Sequence, residues 1–224
     1  MRAFRIVDAE QRSEPWFAAR RGKLTGSRAD AVCAPKNKDG SWKAVRQDLL
    51  VQLACERVTG QVQEDVYINA AMQRGIDCEP LARDAYERKT GYFVQATGFL
   101  EHVEHMAGCS LDGHINDFDG IVELKCPKST THLRYLRNGI VPSDYIPQIL
   151  HNLWISGAQW ADFVSFDDRF PPELQVFIVR VERNEREIAE YERKALAFLS
   201  EVDVEAAAVA TLGNVGAVLR EVTV

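Results

Sequence analysis

Cys109-Ser110-Leu111-Asp112-Gly113, followed by Gly120-Ile121-Val122-Glu123-Leu124-Lys125-Cys126-Pro127, is the stretch that decides how the middle of this chain folds. It predicts an acidic turn, a polar loop over 114–119 and a largely buried strand that carries Glu-x-Lys. Because successive side chains of a strand alternate between its faces, Glu123 and Lys125 project together while Leu124 projects into the core. An acid and a lysine on a buried strand indicate that both have a partner or a function.

The residue types of this stretch suit one kind of chemistry. Asp112 and Glu123 offer two carboxylates that can hold Mg²⁺, and Lys125 beside them can act on a water or on a developing negative charge. This is the minimal equipment for metal-assisted hydrolysis of a phosphodiester. The spacing alone is weakly specific, because any amphipathic strand can carry Glu-x-Lys on a solvated face and an Asp before Gly can simply cap a turn.

Length and composition are those of an ordinary globular chain. The 224 residues predict a single domain over 1–224, with a core at about 14–182, a helix at about 184–208 and a small apolar tail. No apolar run approaches the ~20 residues that span a bilayer, and the N-terminus lacks the apolar core of a signal peptide, so we expect a cytoplasmic protein without a membrane partner. The five cysteines are scattered without a Cys-x-x-Cys, which argues against a disulfide framework or a zinc ribbon.

The charge is unevenly distributed along the chain. A net charge of −6 argues against a generic nucleic-acid binder, but residues 1–48 hold 11 Lys and Arg against 6 Asp and Glu. This asymmetry is compatible with a basic surface that faces DNA and an acidic outside. It is equally compatible with solvated charges that cluster by chance.

Hydrophobic periodicity predicts an α/β fold with a mixed central β-sheet flanked by helices. A capped helix is expected to begin at Ser13 and to end at Gly22, and a long helix at 68–89 is expected to kink or restart at Gly75 or Pro80. Further helices are expected at 28–33, 43–58, 129–137, 144–156 and 184–208. Strands are expected at 92–95, 98–104, 106–110, 120–125, 162–166 and 174–182.

Four motifs follow one another in a fixed order: Trp16-x-x-x-Arg20-x-Gly22-x-x-Thr25-x-Ser27, Gly75-x-x-x-Glu79, Ser110-x-Asp112-Gly113 with Glu123-x-Lys125-Cys126-Pro127, and Tyr145-x-x-Gln148. Together they resemble the phage lambda exonuclease family, also called the YqaJ-type viral recombinases, over roughly residues 14–182. The resemblance implies a restriction-endonuclease-like (PD-(D/E)XK) core and Mg²⁺-dependent 5′-to-3′ digestion of one strand of linear duplex DNA. It also implies 3′ overhangs for recombination, a ring-shaped homotrimer, a single-strand annealing protein as partner, and a phage or prophage origin in a bacterial host.

The resemblance assigns metal and catalytic roles to individual residues. Asp112 and Glu123 would be direct ligands of Mg²⁺, with Mn²⁺ as an alternative ion, and the Leu124 carbonyl would be a further ligand. In a two-metal arrangement one ion activates the attacking water and the other stabilises the leaving oxygen, while Lys125 positions the water or offsets charge on the phosphate. Glu79 corresponds to a helix-borne acid that reaches the metal directly or through water; an ordinary surface glutamate is the alternative.

A second set of residues resembles the family's pocket for a terminal 5′-phosphate. Arg20 and Ser27 form this pocket, since a guanidinium binds phosphate in a bidentate manner and a hydroxyl near a helix N-terminus adds a neutral donor. Ser110 and Gln148 would complete it. A plain helix N-cap is the alternative for Ser27.

Three further residues are candidates for DNA contacts. Met72 stands where the family has an apolar residue that splits the terminal base pairs, and a core methionine is the alternative. Lys36 and Lys38 lie in a polar loop that could track DNA phosphates, although exposed lysines in a loop need no function.

The last motif departs from the family pattern, and two rival functions stay open. The family continues Gln-x-Gln, whereas here Leu150 replaces the second glutamine, and the next residue, His151, fits a buried helix histidine better than a catalyst. An endonuclease of the same fold and a catalytically inactive DNA-end-binding scaffold are the rivals. An iron–sulfur nuclease is disfavoured, because none of the cysteines that such a cluster needs follows Cys126.

Overall fold

The computed structural model describes residues 2–63 and 70–212. Its strands form two four-stranded sheets. The strands are β1 (Phe4–Val7), β2 (Leu24–Thr25), β3 (Phe99–His102), β4 (Ala107–Cys109), β5 (Gly113–Ile115), β6 (Gly120–Lys125), β7 (Trp160–Phe166) and β8 (Val176–Glu182). The helices are α1 (Glu14–Arg20), α2 (Ala29–Cys33), α3 (Ala44–Thr59), α4 (Ala70–Thr90), α5 (Ser129–Asn138), α6 (Ile146–Ser156) and α7 (Glu185–Leu212). Within the described ranges no helix is long and apolar enough to cross a bilayer. The predicted apolar tail lies outside the described residues beyond Leu212.

Both sheets are mixed. The first has the order β1-β3-β4-β2 with one parallel pair, β2 with β4, and the second has the order β5-β6-β7-β8 with one parallel pair, β6 with β7. The predicted fold class is confirmed, but the strands are divided between two sheets instead of forming one central sheet. The division falls at residues 110–112, because Cys109 pairs with Leu100 whereas Gly113 pairs with Val122.

The main core lies where helices α3, α6 and α7 meet the sheets. Leu53, Leu153, Phe163 and Phe198 are fully buried there. Each buried side chain of this size contributes about 1.5–3 kcal/mol to folding, so this cluster fixes α6 relative to β7. A second cluster packs Tyr86 and its neighbours on α4 against β6, β7 and β8, which holds α4 beside the strand that carries Glu-x-Lys.

Some predicted elements differ from the structure. The segment predicted as a strand at 92–95 makes only an isolated bridge, between Gln95 and His114, while the short strands β1, β2 and β5 had no prediction. The predicted restart of the long helix is wrong, because α4 continues through Gly75 and Pro80. Pro80 is exposed, so water can satisfy the carbonyl that the proline leaves without a backbone donor.

The turn between β5 and β6 contains three consecutive residues in the left-handed region, Asn116, Asp117 and Phe118, with φ angles of 45°, 58° and 75°. Each such non-glycine residue costs about 1–2 kcal/mol. Phe118 is buried with its ring centroid 4.0 Å from that of His114 and 5.0 Å from that of Phe4. This packing offsets the backbone cost and holds the hairpin tip against the first sheet.

His151 is a fully buried structural residue of α6, as its sequence context indicates. One ring nitrogen lies 2.7 Å from the Tyr191 hydroxyl and the other 2.9 Å from the Gly108 carbonyl oxygen, so His151 ties α7 and β4 to α6. Burial lowers the pKa of His151 to about 4. The imidazole is therefore neutral in the folded protein at ordinary pH.

Replacement of His151 by Gln is expected to remove a pH-dependent part of the stability. The unfolded imidazole takes up a proton below its ordinary pKa of about 6.5, whereas the folded one does so only near 4. Protonation of the unfolded imidazole therefore favours unfolding between about pH 6.5 and about pH 4. Folding stability on the order of 3 kcal/mol is lost as pH falls through this range. Urea unfolding at about pH 7 and about pH 5 should show a smaller pH slope in His151→Gln than in the wild type or in the control His105→Gln. Equal slopes would contradict this assignment.

Candidate active site

The β5–β6 hairpin brings the Asp112 side chain to the backbone of Leu124. Gly113 pairs with Val122, and one step further out the Leu124 N–H donates to Asp112 Oδ2 at 2.7 Å. The aspartate thus takes the place of a backbone acceptor at the end of the ladder. Because N–H and C=O of one strand residue point to the same edge, the Leu124 carbonyl faces the same edge as Asp112. The roles of Asp112 and the Leu124 carbonyl as ligands of an ion remain predictions.

Gly113 allows this hairpin to close against the segment before β3. A Cβ at Gly113 would lie 2.1 Å from Val94 Cγ1, which leaves no room for any side chain. The neighbouring His114 exchanges both backbone hydrogen bonds with Gln95, each at 2.9 Å. Glycine after the aspartate is therefore required by packing.

Glu123 lies at the centre of a hydrogen-bond network. It is 3 % exposed, and its Oε1 accepts from Gln148 Nε2 at 2.6 Å and from Lys125 Nζ. Its Oε2 accepts from Asn152 Nδ2 at 3.1 Å. Lys125 also lies 5.2 Å from the ring centroid of Tyr145. The structure thus brings together Glu123 and Lys125, as the motif indicates. It places Gln148, which was predicted to complete the phosphate pocket, against Glu123 instead.

Burial disfavours the charged form of both carboxylates. Burial raises the pKa of Asp112, and it raises the pKa of Glu123 to about 7 although Lys125 opposes the shift. Burial also disfavours the charged form of Lys125, but the carboxylates of Glu123 and Asp112 hold the pKa of Lys125 above its ordinary value. An additional cation beside these groups would stabilise both carboxylates in their charged form.

Glu79 reaches this cluster from α4. Burial and the nearby charge of Asp112 raise the pKa of Glu79. Arg83, one helical turn later, lies 3.5 Å from Glu79 Oε1 and donates to the Asp112 backbone carbonyl at 2.8 Å. Helix α4 therefore presents one acidic side chain and one positively charged side chain to the hairpin that holds Asp112.

Arg20 and Ser110 are also brought together. Ser110 Oγ accepts a hydrogen bond from Trp16 Nε1 at 2.9 Å and one from Arg20 Nη1 at 3.4 Å. The Arg20 guanidinium lies 4.1 Å from the Trp16 ring centroid, which fixes its orientation. Because Ser110 is two residues before Asp112, this guanidinium is linked to the carboxylate cluster through one short segment.

Ser27 lies in the turn between β2 and α2. Its hydroxyl is exposed and lies 3.4 Å from Thr25 Oγ1. The residue at the N-cap of α2 is Arg28, so the alternative role of Ser27 as a helix cap is wrong. The preceding residue, Gly26, packs against Gln148 and Asn152 on α6.

The three candidate DNA contacts are all exposed. Lys36 Nζ is 4.6 Å from the ring centroid of Trp42, and Lys38 is exposed in the same loop. Met72 is 51 % exposed near the beginning of the described part of α4, so the alternative of a core methionine is wrong. The DNA-binding roles of these residues remain predictions.

Two residues of the network had no prediction from the sequence, Asn152 and Arg83. Each follows a motif residue by four positions, Gln148 and Glu79 respectively, and residues four apart share one helix face. This spacing of four residues is the sequence feature from which both residues could have been predicted to face the site. By contrast, Leu150 is two positions after Gln148 and packs against the main core, so it does not take the place of the family's second glutamine.

The donor set suits a hard divalent cation. No three His, Cys, Asp or Glu side chains converge on one point in the described ranges. Mg²⁺ does not need such a cage, because it is commonly bound by one or two carboxylates together with waters and substrate phosphates. A buried carboxylate and a half-buried one, both with raised pKa values, and an adjacent carbonyl meet that requirement, so Asp112, Glu123 and Leu124 fit the ion.

Comparisons with known proteins agree with this architecture. The structure of LHK-Exo in complex with dAMP is 38% identical in sequence, with a TM-score of 0.81 over 90% of this chain and 98% of that chain. The alkaline exonuclease LHK-Exo from Laribacter hongkongensis is 39% identical over the same shares, with a TM-score of 0.80. A phage-related exonuclease from Haemophilus somnus 129PT is 15% identical, with a TM-score of 0.62 over 85% of this chain and 96% of that chain, and shows likeness of the fold alone.

The match to a protein family covers the acidic residues of the site as well as Arg20 and Ser27. No curated protein matches the sequence. Residues 15–159, which include all four motifs, match the model of the YqaJ-like viral recombinase domain. The fold is restriction-endonuclease-like, as in the lambda-exonuclease-like nucleases. The chain therefore belongs to the YqaJ-like viral recombinase family.

Proposed function

We propose that this chain is a Mg²⁺-dependent exodeoxyribonuclease that degrades one strand of linear double-stranded DNA from 5′ to 3′ and leaves 3′ overhangs for recombination. The observation that carries the proposal is the position of Ser110. Its hydroxyl accepts a hydrogen bond from Arg20, whose guanidinium is suited to binding phosphate. Two residues later, Asp112 is the first of the acidic residues at the site. A group for recognising a DNA end and a group for hydrolysis thus share one segment. The similar LHK-Exo was solved with dAMP, which has the base, sugar and phosphate of one DNA nucleotide.

The residues of the cluster divide the chemistry between them. Asp112, Glu123 and the Leu124 carbonyl would hold the ion, which is Mg²⁺ or Mn²⁺. When bound in a two-ion arrangement, it would supply Lewis-acid stabilisation of the phosphate and lower the pKa of water. Lys125 is held by Glu123 and keeps a positive charge at the scissile phosphate, where it orients the attacking water. Glu79, whose pKa is raised, holds a further water or ligand position from α4.

The family resemblance supplies the assembly and setting of this proposal. Ends of double-stranded DNA are the substrate, three copies form a ring, and a single-strand annealing protein takes up the product strand. In such a ring the basic segment 1–48 would line the channel while the acidic remainder faces outward. We place this activity in the cytoplasm of a bacterial host, encoded by a phage or prophage.

A linear duplex labelled separately at the 5′ end and at the 3′ end of the same strand tests the proposed reaction. The 5′ label is expected to be released early as a mononucleotide, while the 3′ label remains in long fragments. Both labels should remain in full-length strand when EDTA replaces Mg²⁺, because the carboxylates cannot promote hydrolysis without the ion.

The same assay separates the rivals. A covalently closed circular duplex should stay intact, and its cleavage would favour an endonuclease. DNA-end binding without Mg²⁺-dependent release of either label would favour an inactive scaffold. Early release of the 3′ label would reverse the proposed polarity.

A further inference from the structure

Asn152 is a buried residue of α6, and the two polar atoms of its side-chain amide differ in their hydrogen bonding. It is 2 % exposed, and its Nδ2 donates to Glu123 Oε2 at 3.1 Å. Its other amide atom, Oδ1, is buried and accepts no hydrogen bond from the described residues. A buried acceptor without a donor is costly, so this orientation needs a reason.

The Glu123 carboxylate provides that reason. If the amide were turned over, Oδ1 would face Glu123 Oε2, and two acceptors would be in contact. The carboxylate therefore selects the orientation that leaves Oδ1 without a partner. Gln148, one turn earlier on α6, donates to the other oxygen of Glu123 at 2.6 Å, so the two amides hold both carboxylate oxygens.

Gly26 covers the opposite side of the Asn152 amide. A Cβ built on Gly26 would lie 2.3 Å from Asn152 Oδ1 and 3.3 Å from Asn152 Cγ. No side chain fits there unless the Asn152 amide moves away from Glu123. Ser27, the next residue, is the predicted ligand of the 5′-phosphate.

We propose that Asn152 is a positioning residue that couples the Glu123 carboxylate to the Gly26–Ser27 segment. The ion ligand and the 5′-phosphate pocket then share one buried contact, so a displacement of either side is transmitted through the Asn152 amide to the other. This inference rests on the proposed function, because it assigns Glu123 to the ion and Ser27 to the phosphate.

Binding of Mn²⁺ in the absence of DNA tests the first half of the coupling. Free Mn²⁺ is measured by electron paramagnetic resonance during titration of the full chain. Asn152→Ala is expected to weaken binding about 10–100-fold, the usual effect of losing a hydrogen bond that orients a ligand. Leu153→Val, a buried change on the adjacent position of α6, is the matched control and should leave the Mn²⁺ affinity unchanged.

A double-mutant cycle with Gly26→Ala tests the second half. Gly26→Ala alone should lower both the Mn²⁺ affinity and the melting temperature, because the added methyl group displaces the Asn152 amide. In the Asn152→Ala background the space for this methyl group exists, so the same change should cost little in either measurement. The double variant should therefore bind Mn²⁺ no more weakly than Asn152→Ala alone.

The outcomes separate this inference from the proposed function. Wild-type protein that binds no Mn²⁺ without DNA would overturn the inference, and the assay with separately labelled strands would then decide the proposed function by itself. Wild-type binding with unchanged affinity in Asn152→Ala would overturn the inference and leave the function standing. Additive effects of the two substitutions would show that Gly26 and Asn152 do not act on each other, which would also overturn the coupling.

Discussion

Asp112→Asn, Glu123→Gln and Lys125→Met are each expected to lower the rate of DNA strand degradation on the order of 10³-fold or more, by analogy with other preorganised charged sites. The substitutions remove charge at the position where the proposed ion and the scissile phosphate meet. Asp112→Asn retains an oxygen that can accept from the Leu124 N–H, so the hairpin should keep its geometry. Initial rates on a linear duplex in Mg²⁺ give the loss of activity.

Binding to DNA ends should survive these changes, because the affinity for the duplex rests on other groups. Fluorescence anisotropy in Ca²⁺ measures this binding, since Ca²⁺ should occupy the site without supporting turnover. Asp119→Asn is a matched control, because Asp119 is an exposed carboxylate of the same hairpin. Near wild-type turnover in any one of the three variants would remove that residue from the proposed active site.

Duplexes with a 5′-phosphate are expected to be digested about 10–100-fold faster than duplexes with a 5′-hydroxyl, and Arg20→Ala should remove most of this preference. The guanidinium of Arg20 is held over the Trp16 ring and against Ser110, where a bidentate contact with phosphate adds to a preformed orientation. Competition between the two substrates in one reaction measures the preference directly.

The neighbouring arginine provides the control for this experiment. Arg21→Ala removes the same charge one residue away and should leave the preference for 5′-phosphate intact. Arg20→Lys should retain part of the preference, because an ammonium keeps the charge but loses the bidentate geometry. Equal rates on both ends in the wild type would refute the pocket.

The central part of the site was predictable because it depends on local rules. Alternation along a strand puts Glu123 and Lys125 on one face, and the apolar neighbours of Glu123 require that strand to be buried. Both are seen, since Val122 and Leu124 lie in the core while Lys125 contacts Glu123. The fold class and most helices follow from periodicity in the same way.

The remaining features depend on contacts between distant parts of the chain. The local sequence of β4 and β5 does not determine their pairing partners, so it could not predict that Cys109 pairs with Leu100 and Gly113 with Val122. The division into two sheets was therefore not predictable. The partners of Asn152 and Arg83 likewise become visible only when helices and hairpin are assembled. The continuous helix through Pro80 reflects exposure, which composition does not reveal.

The number of residues between Asp112 and Glu123 does not set the separation of their carboxylates. Their relation is held at the open end of the hairpin, by the Gly113–Val122 pair and the bond from Leu124 to Asp112. The tip, where Asn116 and Asp117 are exposed, lies beyond both. The tip is anchored on the first sheet by Phe118, so it fixes the path of the turn and leaves the separation of the two acids to the open end. Distant relatives are accordingly better recognised by strand register than by a fixed gap between the two acids.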